Sequence, residues 1–232
     1  TALKRLGIKP EREVRIIFGC DEESGFEDLK YYLDHEKAPI AGFTPDCKYP
    51  VVYAERGRAV IKVKADLDHL ITFMNKYILN TQNKGERLGI DYKNDEFGQL
   101  EIRNYHLTKE DFSFSISYPA GLTLEEILEK LNRIEGYEYE VVSHFKPVYF
   151  DKKAPMVEIM KETYEYVTGN DGTPVTTTGG TYAKMMPHIV PFGPSFPGQK
   201  GIGHNPNEWM TREDLITNAK IYALTLYQLS RK

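Results

Sequence analysis

Asp21, Glu22 and Glu23 stand in a row where an apolar run, Val14 to Phe18, passes through Gly19-Cys20 and meets Ser24-Gly25. Carboxylates packed at the end of a core strand repel one another in a partly dry crevice, and one must take up a proton unless a cation relieves them. A divalent ion gives that relief, and a free carboxylate beside a ligating one can act as general base toward an activated water. Two more ligand-type residues fall at the ends of elements: Asp46, in the turn Thr44-Pro45-Asp46, and His204, in an irregular loop before the last helix. Asp, Glu and His together suit Zn²⁺. Gly179-Gly180-Thr181 could offer main-chain N–H groups to a substrate, because glycine admits close approach. Each has a plainer reading: Asp21 or Ser24 as a helix cap with the glutamates in the first turn, Asp46 as a turn former, His204 as a solvated loop residue, and Gly179-Gly180 as a turn. No Gly-Lys-Ser/Thr follows the glycines to make a phosphate loop.

The elements that would position these residues follow from periodicity. Thr1 to Pro10 reads as the last turns of a helix stopped by Gly7, and Glu13 to Phe18 as a strand. Glu23 to Glu36 carries Phe26, Leu29, Tyr32 and Leu33 at helical spacing. Ala41 to Val52 is extended. Strand 58–63, helix 67–79, and strands at 90–92, 100–107, 112–118 and 137–142 follow, with a helix from Thr123 whose Glu126 completes a capping box. A helix begins near Pro155 and ends at Gly169. The Pro- and Gly-rich stretch 187–206 is irregular, and Thr211 caps a final helix.

The remaining composition narrows the function. The chain has 232 residues, 41% hydrophobic, with a formal charge of -4 and only scattered Lys and Arg, so no basic surface for nucleic acid is expected. No run approaches the roughly 20 apolar residues of a membrane span. Two cysteines, Cys20 and Cys47, make no disulfide scaffold and fit a reducing cytoplasm; each adjoins a candidate ligand, and both read as buried packing residues.

The runs Phe18-Gly-Cys-Asp-Glu-Glu-Ser24, Gly42-Phe-Thr-Pro-Asp46 with Tyr49-Pro50, Gly179-Gly-Thr-Tyr-Ala183 and His204-Asn-Pro-Asn-Glu-Trp-Met210, with Tyr118-Pro119 and Asp151-Lys152, together resemble the PepV-type dipeptidases. These belong to the dinuclear zinc peptidases and deacylases, with carnosinases, aminoacylases and succinyl-diaminopimelate desuccinylases. The resemblance implies an α/β fold: a zinc-peptidase-like catalytic domain with a partial mixed sheet, in segments 1–55 and 150–232, interrupted at 56–149 by a shortened α+β ferredoxin-like lid. By the same resemblance Glu22 is the general base, Glu23 a ligand of one zinc with His204, and Asp46 a ligand of the other. Gly179, Gly180 and Thr181 receive the substrate's carboxylate end. The implied reaction is hydrolysis of a dipeptide amide bond by a hydroxide bridging two zinc ions, in the cytoplasm, on dipeptides with a free N-terminus.

The departures from the family pattern are specific. Its His-x-Asp pair and bridging Asp have no counterpart here, which leaves two ligands for one zinc and one for the other, where a catalytic zinc takes three plus water. The lid histidine is missing, Ser117 stands before Tyr118-Pro119 where an arginine is expected, and Lys184 replaces an arginine after Tyr182-Ala183. The chain is therefore expected to be an inactive fragment of an active parent enzyme, associating with the missing segments or with a second copy. The alternative is a non-catalytic α+β scaffold or interaction module of the same family.

Overall fold

A computed structural model describes residues 2–199 and 203–231. These residues form two compact units: Ala54–Tyr149 with Thr176–Gly180 make one, and the other described residues make the second.

The unit built on 54–149 is organised by one strand. Gly57–Lys64 alternates buried and accessible positions, with Ala59, Ile61 and Val63 fully buried. That period of two is what a sheet with one covered face requires. It lies between Asp111–Tyr118 and Glu138–Phe145, both antiparallel to it, and Glu101–Leu107 forms the far edge. Phe112, Phe114 and Ile116 extend the apolar face, and Leu70 and Phe73 from one helix with Ile127 and Leu131 from another cover it. Both helices start as their sequences dictate. Asp66 accepts the His69 N–H, and Thr123 and Glu126 form the reciprocal capping box. The first helix, Leu67–Phe73, continues as a π turn over Met74–Ile78. Ile90–Tyr92 is not a strand. A short hairpin, Lys93–Asn94 with Gly98–Gln99, replaces it, and buried Ile90 serves the core instead.

In the other unit, Gly42–Thr44 pairs in parallel with Ile189–Pro191, and Cys47–Lys48 with Pro194–Ser195. Helices Pro155–Thr168 and Arg212–Leu229 pack on each other. Tyr49, Val51, Val157, Met160, Tyr164, Val190, Phe192 and Ile221 form the core. The first helix ends at Gly169 in the left-handed conformation, and Thr211 accepts the Asp214 N–H to start the second.

The expected strand at 13–18 does not form. Among the described residues it pairs with no strand, and Ile16 and Phe18 are 71% and 92% exposed. Apolar, β-branched residues suit a strand, but a strand exists only with a neighbour to take its main-chain hydrogen bonds. The following helix is Glu27–His35, shorter than 23–36. It is entered through Phe26 in the left-handed conformation, so the acidic triplet lies in a turn before it.

Candidate active site

The triplet turn closes on itself. The Asp21 carbonyl accepts the N–H groups of Ser24, Gly25 and Phe26, and its Oδ2 accepts the Glu27 N–H at 2.9 Å. Asp21 thus satisfies a free donor at the helix start from outside the helix. Glu22 and Glu23 are left to project from the turn, Glu22 half-buried and Glu23 exposed.

Three separate stretches of chain bring the expected ligands together. His204 Nδ1 lies 3.7 Å from Glu23 Oε1. Asp46, placed by the turn between Gly42–Thr44 and Cys47–Lys48, hydrogen-bonds Glu22 and feels the charges of Glu23 and His204. Its carboxyl is held above the ordinary range. Burial is the largest cause and the Glu23 charge adds to it, while the Glu22 hydrogen bond and His204 pull the other way. Asp46 is nonetheless exposed by accessible area. The desolvation therefore reflects crowding by its neighbours.

The donor chemistry suits a divalent cation, and two donors bonded to one zinc at about 2.0 Å stand no more than about 4 Å apart. The His204–Glu23 separation meets that limit. Among the described residues, however, no group of three or more His, Cys, Asp or Glu side chains is assembled to hold a metal ion. The fit is one of donor type and of one pair, not of a finished coordination shell.

Gly179 and Gly180 are exposed, but the Gly179 N–H is already given to Thr177 Oγ1 at 3.3 Å. Thr181 is 3% exposed, and its hydroxyl accepts the Ala183 N–H, starting the short turn Tyr182–Lys184. Of the three expected substrate contacts, Gly180 remains the accessible one. Cys20 is exposed, contrary to the expectation of a buried packing residue, because the unpaired segment before it leaves it uncovered. Cys47 is half-buried. Ser117 is buried, and its hydroxyl finds no hydrogen-bond partner among the described residues. The single tryptophan, Trp209, follows His204 in its loop and is 57% exposed.

Sequence reasoning missed two residues beside the triplet. Asp28, the second residue of the helix after it, accepts the Cys20 and Asp21 N–H groups and the Tyr182 hydroxyl. Tyr182 lay inside the Gly-Gly-Thr-Tyr-Ala run, but nothing local marks Asp28.

The sequence matches peptidase family M20/M25/M40 over residues 1–228. The chain belongs to that family. The M20-type chain is 23% identical to the Beta-Ala-Xaa dipeptidase of Lactobacillus delbrueckii subsp. lactis, an alignment covering 99% of this chain and 71% of the relative. That alignment runs over 335 positions against a chain of 232 residues, so the relative holds long internal stretches with no counterpart here. Among solved structures, human carnosine dipeptidase 1 superposes with a TM-score of 0.64 at 13% identity, covering 99% of this chain and 68% of that one. The di-peptidase Dug1p of Saccharomyces cerevisiae gives 0.63 at 13% identity, with the same coverage of both chains. These likenesses establish the mixed α/β fold of M20 peptidases. No described helix is long and apolar enough to cross a membrane.

Proposed function

We propose that this chain is a fragment of a zinc-dependent dipeptidase and that, alone, it is inactive. The observation that carries the reading is the convergence of Glu22, Glu23, Asp46 and His204 from three distant stretches of an M20-family chain. Zinc, when bound, would polarise the amide carbonyl and lower the pKa of water. Glu23 and His204 would hold one ion and Asp46 the other. Glu22 would take a proton at its carboxylate and return it to the leaving amine. The hydrogen bond between Glu22 and Asp46 needs a proton on one of the two carboxyls, and Glu22 would be freed as base once a bound cation displaced that proton. Gly180, with Gly179 and Thr181 shaping its loop, would receive the substrate's carboxylate end. The substrate class is dipeptides, as the names of the relatives suggest. The 56–149 segment would serve as a shortened lid, and two cysteines without a scaffold role suit the cytoplasm.

Inactivity follows from donor number: three protein ligands are shared between two ions, where each catalytic zinc needs about three. Dipeptide hydrolysis by the purified chain, abolished by chelator and restored by zinc, would overturn the inactivity. Zinc binding by calorimetry tests the site itself. Binding weakened by Glu23→Gln and by His204→Ala supports it, and unchanged binding in both favours the scaffold reading.

A further inference from the structure

The Asp28 carboxylate and the Tyr182 hydroxyl lie together against the turn that carries Glu22 and Glu23. Asp28 Oδ2 accepts the Tyr182 O–H at 2.6 Å, the Cys20 N–H at 2.7 Å and the Asp21 N–H at 3.1 Å. Its Oδ1 accepts the Leu29 N–H at 2.8 Å. The Asp21 N–H is shared with the Tyr182 oxygen at 3.3 Å, and the Tyr182 ring rests on Phe26 with centroids 5.5 Å apart.

Gly19 makes the arrangement sterically possible. A Cβ at Gly19 would stand 2.1 Å from the Tyr182 oxygen and 2.7 Å from Asp28 Oδ2, both far inside van der Waals contact. Three donors crowd Asp28 Oδ2 and one engages Oδ1, so the carboxylate is committed to the turn and to Tyr182. It is not an ordinary helix cap, since only one of its four donors comes from its own helix.

The protonation states agree with the geometry. Burial alone would raise the Asp28 carboxyl, but the hydrogen bonds from Tyr182, Cys20, Asp21 and Leu29 more than offset it and hold it below the usual range. Tyr182 is pushed up to about 12 by burial and by its bond to Asp28, so it remains a donor at neutral pH.

The segment that leads into the turn contributes no strand pairing, so it cannot orient the glutamates. We infer that Asp28 and Tyr182 are positioning residues: they fix the Cys20–Asp21 main chain, and through it the direction of Glu22 and Glu23, and tie that turn to the residue following Gly179-Gly180-Thr181. The functional consequence rests on the proposed dipeptidase reading; the bridge itself does not.

The experiment uses the full chain with Tyr182→Phe, Asp28→Asn and Glu23→Gln. Tyr105→Phe serves as a control that removes a different hydroxyl, one bonded to Asn83. Amide hydrogen exchange at Cys20 and Asp21 is read by NMR, and zinc affinity by calorimetry. Both bridge variants should keep the wild-type circular dichroism, exchange the two amides at least about ten-fold faster, and bind zinc about ten-fold more weakly. The control should change neither. Wild-type exchange or wild-type zinc affinity in both bridge variants overturns the inference. If Asp28→Asn does not fold, Tyr182→Phe, which removes a single oxygen, decides alone. If wild type and Glu23→Gln bind zinc equally poorly, the dipeptidase reading falls, and amide exchange alone decides the bridge.

Discussion

His204 and Glu23 meet in water, their side chains 82% and 75% accessible, and a pair so exposed adds little to folding. On the proposed reading the pair serves metal binding, so stability and metal binding should separate. His204→Ala is expected to leave the thermal midpoint unchanged in scanning calorimetry while weakening zinc retention. Asp28 behaves in the opposite way. Its folded pKa lies below the unfolded value of about 3.9, so its contribution is full above that pH and is lost as pH falls through the lower folded value. Urea unfolding in steps from pH 5 downward should show this acid loss in wild type, and a shallower one in Asp28→Asn. Glu22, Glu23, Asp46 and His204 could be singled out as candidates in the sequence because residue type and the order of their motifs mark them. The Asp28–Tyr182 bridge was not, since it spans 154 positions and no periodicity reports such a contact.

At the scale of elements, Val14–Phe18 shows what hydrophobic patterning can and cannot convey. Its composition marks an element that wants burial, and covering the Phe18 ring would be worth ~2 kcal/mol. Whether a strand forms depends on a neighbour, which composition does not encode. An exposed apolar segment with unpaired main-chain groups invites association. Ile16→Lys combined with Phe18→Ser should therefore reduce self-association, seen as a lower weight-average mass in sedimentation at high concentration. The helix starts at Thr123 and Thr211, by contrast, were legible because capping is local chemistry, whereas the helix expected from Glu23 begins only at Glu27, without a side-chain cap. Thr123→Ala removes the hydroxyl that accepts the Glu126 N–H, leaving only the main-chain half of the capping box, and should cost ~1 kcal/mol in urea unfolding. The hairpin at 93–99 escaped notice because apolar Ile90 resembles a strand residue while acting as a core plug.

The whole molecule divides into two units with separate cores, one of them built almost entirely from a continuous stretch of chain. Residues 54–149 carry their own four-stranded sheet, two capped helices and a dry apolar face. Expressed alone, they should show native-like circular dichroism and one cooperative thermal transition, and a non-cooperative melt would refute that autonomy. The internal stretches that the Lactobacillus relative holds in addition are thus not needed to close this core.

Trp209 gives the loop of His204 an optical signal of its own. With 57% of its surface in water and no second indole in the chain, its emission at long wavelength comes from that loop alone. A ligand that draws His204 inward should shift the emission to the blue, so occupancy of the candidate site can be followed in the unlabelled protein even where no turnover occurs.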